Sequence, residues 1–79
     1  MKKLFRIKEA LSIFGVSNST FYDWITQGLM TPGVRVGSRT VIWPENELEA
    51  IRSAWVAGKE EDEIKALVEE LIEARQEAA

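Results

Sequence analysis

A chain of 79 residues allows one small domain with a single modest core, and its 46% hydrophobic and 29% charged residues are typical of a folded globular protein. The sequence contains no cysteine and no histidine, which excludes a disulfide framework and most catalytic and metal-binding chemistry. No signal peptide is readable, and no apolar run approaches the roughly 18 residues of a membrane span. We therefore expect a cytoplasmic protein that is not an enzyme and has no cofactor, no metal and no contact with a membrane.

Charge is divided unevenly along the chain. Residues 1–43 carry six Lys and Arg against two Asp and Glu, whereas residues 44–79 carry four against eleven. The first part is therefore basic, at +4, and the second part is acidic, at −7. Such polarisation predicts one surface that attracts polyanions and another that repels them. The overall charge of −3 does not exclude nucleic-acid binding by the first part.

Two short helices separated by a glycine turn are predicted in the basic part. Residues 7–14 carry apolar side chains at i, i+3, i+4 and i+7, and Gly15 is suited to end this helix. Ser17 is a favourable N-cap for a second helix, which runs to about Gln27 and is closed by Gly28. This register predicts a helix-turn-helix. The residues of the second helix that face the first are Phe21, Trp24 and Ile25.

A β-hairpin is predicted after the second helix. Pro32-Gly33 signals a turn, and two runs of β-forming residues, 34–36 and 40–43, are joined by Gly37-Ser38-Arg39. Arg39 is placed at the tip, with Arg35 on the face turned away from the helices. A helix-turn-helix followed by a hairpin is a winged helix, whose basic tip can reach a phosphate backbone or a minor groove. The residues predicted to cover the helices are Val34, Val36, Val41 and Trp43.

Two further helices are predicted in the acidic part. The third begins at Pro44, with Glu45 and Glu47 near its positive end, and the fourth runs from about Glu60 to Gln76. The apolar stripe of the fourth helix must be covered, because a lone amphipathic helix of this length is marginal in water. It can fold back on the winged helix or pair with a second copy, and we favour pairing or contact with a partner protein. The stripe consists of Ile64, Leu67, Val68, Leu71 and Ile72.

The order and spacing of these elements resemble a known family. The segments RIKEA (residues 6–10), GVSNSTFYDWI (residues 15–25) and VGSRTVIW (residues 36–43), together with Gly28, are similar to the AlpA family of small prophage regulatory proteins. That family is related to the excisionases and to the MerR-type DNA-binding domain. The fold class is thus mainly α with a small β-hairpin. We expect a winged-helix DNA-binding domain over residues 1–58 and an acidic amphipathic helix over residues 59–79.

The resemblance implies that the second helix and the wing contact double-stranded DNA. The family usually carries a basic residue where this chain has Asn18, and often another at Asp23. Asn18 can still bond adenine through two hydrogen bonds, and we interpret Asp23 as non-contacting. Cations on the first helix, the wing and the N-terminus (Lys2 and Lys3) are expected to attract phosphates, although a hairpin arginine can also be merely solvated. The predicted DNA-binding residues are Lys8, Ser17, Asn18, Ser19, Thr20, Tyr22, Thr26, Arg35, Ser38 and Arg39.

Three functional classes stay open. We favour a sequence-specific transcriptional regulator of a prophage or integrative element. An excisionase, which acts with an integrase, uses the same winged helix and is the first alternative. The DNA-recognition subunit of a phage terminase is less favoured, because that class normally adds a longer assembly region. The expected partners are double-stranded DNA, a second copy of the chain through the fourth helix, and an integrase or RNA polymerase.

Overall fold

The computed structural model describes residues 3–78, which form four helices and one three-stranded antiparallel sheet of order β1-β3-β2. The predicted mainly α fold with a small hairpin is confirmed, and the arrangement is winged-helix-like. None of the helices in this part of the chain is long and apolar enough to cross a membrane. In chain order the elements are β1 (Leu4–Phe5), α1 (Ile7–Phe14), α2 (Asn18–Gln27), β2 (Val34–Val36), β3 (Thr40–Pro44), α3 (Glu45–Val56) and α4 (Glu61–Ala78).

Local sequence explains where the first two helices begin and end. The Glu9 carboxylate accepts the backbone N–H of Arg6 at 3.2 Å at the start of α1. Gly15 ends α1 with a left-handed φ of 65°, and its N–H donates to the Leu11 carbonyl at 2.7 Å. The Ser17 hydroxyl caps α2 by accepting the N–H of Thr20. Both helices have the bounds that the apolar spacing predicts.

One core joins the sheet to all the helices of the described residues. Trp43 of β3 is fully buried, and its ring meets that of Phe21 edge-on, with centroids 5.3 Å apart. Its indole N–H donates to the Thr31 carbonyl at 3.0 Å, so the polar group of the buried ring is satisfied. The buried apolar residues are Ala10, Phe21, Leu29, Met30, Trp43, Leu48, Ile51, Ile64 and Val68.

The fourth helix packs against α3 of its own chain. Ile64 and Val68 are 0% and 3% exposed, and the three other residues of the stripe, Leu67, Leu71 and Ile72, pack against the same core while partly buried. The fold-back alternative is therefore the arrangement observed, and the core continues across the boundary expected at residue 58. Pairing with a second copy through this stripe stays a prediction, and it would require α4 to leave its own domain.

The sheet register corrects the predicted faces of the hairpin. Val36 pairs with Thr40 and Arg35 pairs with Val41, which leaves a loop of three residues. Cross-strand partners share a face, so Arg35 lies on the inward face with Val41. Successive residues of a strand point to opposite faces, so Val34 and Val36 lie on the face opposite Arg35 and Val41, and the prediction that they cover the helices is wrong. The outer face of the sheet carries Leu4, Val34, Val36, Thr40, Ile42 and Pro44.

The two C-terminal helices begin one residue after their predicted starts. Pro44 is the last residue of β3 and precedes α3, which starts at Glu45. The backbone N–H of Glu45 donates to the Lys3 carbonyl at 2.8 Å and so joins the start of α3 to β1. Glu47 does more than favour the positive end of α3, since it is buried and forms a salt bridge with Arg75 of α4. The sequence spacing does not indicate this pair.

Candidate nucleic-acid interface

The outward side of α2 is an uninterrupted polar surface. Helical spacing places Asn18, Tyr22 and Thr26 in one row, with Ser19 and Asp23 in the row beside it, and all five are exposed. Tyr22 is the largest of them, at 46% exposure, and its ring is set edge-on against that of Phe21. Gln27 was not among the predicted residues. It is also exposed, and it lies at the end of the second row, four residues after Asp23, so the same helical spacing identifies it.

Three hydroxyl groups predicted to contact DNA form hydrogen bonds within the chain. The Ser17 hydroxyl donates to Thr20 Oγ1 at 3.1 Å while it accepts the Thr20 N–H at 3.3 Å. The Thr26 hydroxyl donates to the Tyr22 carbonyl at 3.1 Å. The protons of Ser17 and Thr26 are therefore committed to the helix, and Thr26 offers a methyl group and lone pairs to a ligand. Asn18 and Ser19 make no side-chain hydrogen bond within the described residues.

The inward side of α2 is held by aromatic rings from three other elements. Phe21 is fully buried between Phe14 of α1 and Trp43 of β3, at centroid distances of 6.3 and 5.3 Å. Trp24 meets Phe14 edge-on at 5.8 Å and stacks on Trp55 of α3 at 5.9 Å. These contacts fix both the position and the rotation of α2, so its polar rows face outward without further support.

The hairpin of residues 34–44, here called the wing, carries two exposed arginines. Arg35 lies in β2, and Arg39 lies in the three-residue loop together with Ser38. Gly37 begins the loop with a φ of 72°, a conformation that side-chain-bearing residues rarely adopt. Arg35, Ser38 and Arg39 are all exposed, although Arg35 lies on the face of the sheet opposite to the predicted one.

The remaining predicted cations lie on the N-terminal side of the fold. Lys8 of α1 is exposed and lines a shallow groove with Phe5, Glu9 and Ile13, so it lies beside β1 and outside the two polar rows of α2. Lys3 is exposed, and Lys2 lies outside the described residues. The structure thus brings the candidate residues together in two groups, the α2 rows and the wing, with Lys8 next to the sheet edge.

The charges of these groups are not neutralised within the described part of the chain. Among residues 3–78, Lys8, Arg35 and Arg39 take part in no salt bridge, and neither does Asp23. The free cations can approach an anion without first breaking an ion pair. The neutral hydrogen-bonding groups of α2 are suited to contact the bases of a nucleic acid. The free cations of the wing are suited to contact its phosphates. No cluster of three or more carboxylates able to hold a metal occurs in this part of the chain.

Comparison with known proteins agrees with this architecture. The family model of the prophage CP4-57 regulatory protein (AlpA) matches residues 3–59, which include β1, both helices around the glycine turn, the wing and α3. An uncharacterized protein, ORF88 of Enterobacteria phage P4, is 33% identical over 58 residues, covering 73% of this chain and 61% of the phage protein. The chain thus spans about three fifths of the length of that relative. No solved structure matches. Because the family model covers well over half of the chain, the protein belongs to the AlpA family of prophage regulatory proteins.

Proposed function

We propose that the protein is a sequence-specific, double-stranded-DNA-binding regulator of transcription in a prophage or integrative element. The observation that carries the proposal is the outward side of α2, a polar surface whose orientation is fixed by packed aromatic rings on its inward side. A helix about 10–12 Å in diameter fits the major groove, where base edges are distinguishable. Family membership supports the regulatory role.

In the proposed complex the two groups of residues have different tasks. The neutral side chains of Asn18, Ser19 and Tyr22 read base edges, because phosphate attraction alone carries no sequence information. Arg35 and Arg39 of the wing neutralise phosphates and supply most of the sequence-independent affinity. Asp23, whose charge has no partner within the described residues, lowers the affinity for every duplex and so lowers non-specific binding.

Replacement of Arg39 tests the proposed role of the wing. We expect Arg39→Ala to weaken binding to every duplex by a similar factor and to lower the salt slope of log K by about one unit, since one phosphate contact is lost. The measurement is a fluorescence-anisotropy titration at several salt concentrations, with a duplex selected by the wild-type protein from a random pool. Arg52, an exposed cation of α3, provides the matched control, and Arg52→Ala is expected to leave the slope unchanged. Equal effects of the two variants would contradict contact through the wing, and a wild-type chain that binds no duplex would contradict the proposed function.

Replacement of Asn18 tests base reading by α2. We expect Asn18→Ala to lower the preference for the selected base at one position by about 1–3 kcal/mol, because a bidentate contact to adenine is lost. Affinity for unrelated duplexes should change little, since those complexes depend on phosphates. Sequencing of the pools selected by the two proteins measures the preference at each position. Ser12→Ala, a change at an exposed residue of α1, is the control, and an equal loss on all sequences by Asn18→Ala would exclude base reading.

A further inference from the structure

The linker, residues 29–33, connects α2 to the first strand of the wing, and its first three residues are buried while Pro32 is exposed. Leu29, Met30 and Thr31 are at most 2% exposed. Two side chains from distant parts of the chain bond its carbonyl groups. Trp43 Nε1 donates to the Thr31 carbonyl at 3.0 Å, and Arg75 Nη2 donates to the Pro32 carbonyl at 2.9 Å. The second of these bonds lies two residues before β2 and therefore acts where the wing begins.

The guanidinium of Arg75 is oriented by a buried carboxylate. Its Nε donates to Glu47 Oε2 at 2.7 Å and its Nη2 donates to Glu47 Oε1 at 2.6 Å, which makes a two-pronged pair. The Glu47 side chain is 3% exposed and that of Arg75 is 23% exposed. Because Glu47 fixes the orientation of the planar guanidinium, the second N–H of Nη2 is directed at the Pro32 carbonyl. Through one guanidinium group, Arg75 thus joins α4 to both α3 and the linker.

The wing and α2 depend on different contacts. The aromatic rings of Phe14, Trp43 and Trp55 hold α2 directly and do not involve Arg75. The strand β2, by contrast, lies at the edge of the sheet and is held by only three residue pairs with β3. The position of β2 therefore depends more strongly on the path of the linker than the position of α2 does.

We propose that Arg75 is a positioning residue for the wing: it holds the Pro32 carbonyl so that the wing and α2 meet one duplex together. The inference rests on the proposed function, because it assigns the C-terminal helix a role in DNA binding through the linker. Arg75 itself needs no contact with DNA. Lysine cannot replace it, since an ammonium group lacks the planar fork that bonds both oxygens of Glu47 and the linker carbonyl.

A double-mutant cycle in the full chain tests this role. Arg39→Ala and Asn18→Ala are each made in the wild type and in Arg75→Lys, and binding to the selected duplex is measured at a temperature where circular dichroism shows each variant to be folded. If Arg39→Ala weakens binding about tenfold in the wild type, we expect it to weaken binding less than about twofold in Arg75→Lys. In that background the displaced wing has already lost its contact with DNA. The effect of Asn18→Ala should be the same in both backgrounds.

Three outcomes would overturn the proposal. Arg75→Lys and Arg39→Ala could act independently, or Arg75→Lys could reduce the effects of Arg39→Ala and Asn18→Ala equally, as a general structural defect would. Unfolding of Arg75→Lys, which keeps a cation beside Glu47, would make Arg75 a residue of global stability only. Lys59→Gln is the matched control, because Lys59 forms an exposed salt bridge with Glu63 at 3.5 Å, and it should not alter either effect.

Hydrogen exchange separates this inference from the proposed function. In Arg75→Lys without DNA, we expect faster amide exchange at Val34–Val36 and unchanged exchange within α2, since the linker carbonyl that loses its hydrogen bond lies two residues before β2, whereas α2 is held by aromatic rings. Unchanged exchange in β2 would overturn the positioning role even if the protein binds DNA. Faster exchange confined to β2, in a protein that binds no duplex, would support the effect of Arg75 on the position of β2. It would contradict the proposed DNA-binding function instead.

Discussion

A chain cut after Gly58 is expected to lose cooperative folding. The cut removes Ile64 and Val68, which are buried in the common core, and each large apolar side chain of this kind is worth about 2–5 kcal/mol. It also removes Arg75 and with it the salt bridge that joins α4 to Glu47 of α3. Together these losses reach the roughly 5–15 kcal/mol free energy of unfolding of a small domain. Thermal and urea unfolding followed by far-ultraviolet circular dichroism measures the effect.

The same experiment discriminates between the two roles considered for α4. A cut chain that unfolds with a sigmoidal transition close to that of the intact protein would show that residues 3–58 have a sufficient core of their own. The stripe of α4 would then be free for a second copy or another protein. Glu69→Gln, a change at an exposed position of α4 in the intact chain, is the control and should alter the free energy of unfolding by less than about 0.5 kcal/mol.

Replacement of Gly33 by alanine is expected to destabilise the protein by about 3 kcal/mol, the upper end of the range for overpacking. A Cβ atom at this position would lie 2.9 Å from Trp43 Cζ2 and would overlap Val41 Cγ1. Neither neighbour can yield, because Trp43 is fully buried and hydrogen-bonded and Val41 is β-branched and stiff. The urea concentration at the midpoint of unfolding should fall, while the slope of the free energy of unfolding against urea concentration stays constant.

Gly37 provides the comparison for this variant. No atom lies within 4 Å of a Cβ built there, so only its positive φ resists substitution. Asparagine tolerates that conformation, and Gly37→Asn should cost less than about 1 kcal/mol. Equal destabilisation by Gly33→Ala and Gly37→Asn would mean that the approach of residue 33 to Trp43 is not close enough to matter.

The local features of this fold could be predicted from the sequence. The bounds of α1 and α2 follow from apolar residues at helical spacing, with Gly15 at one end and Ser17 at the next start, since these signals act between residues close in the chain. The exposed rows of α2 follow from the same spacing: once Phe21 and Trp24 are assigned to the core, the opposite side is determined. Gln27 was left out of the candidate set although the same periodicity places it there.

The remaining features depend on contacts between distant residues. The faces of the wing changed because pairing of Val36 with Thr40, and not merely the positions of the strands, decides which side chains share a face. The covering of the α4 stripe by its own chain depends on a core built from several elements. The pair of Glu47 and Arg75 joins residues 28 positions apart, and no spacing rule connects them. The sequence placed Lys8 among the DNA-binding residues by charge alone, and helical spacing carries no information about its position beside β1.

The contact between Arg75 and Pro32 joins residues 43 positions apart, and it has a consequence for how the protein is made. Synthesis delivers α2, the wing and the rings that hold α2 early, but the Arg75 contact that reaches the linker can form only after most of α4 has been made. At about 5–20 residues per second, the ribosome needs about one to three seconds to proceed from Gly58 to Arg75. During that interval the nascent chain contains every residue of the candidate interface but not the contact that holds the linker before the wing. If residues 3–58 do not fold alone, as we expect of the cut chain, a ribosome that stalls there or a protease that cleaves between α3 and α4 yields an unfolded chain and not a weaker version of the protein.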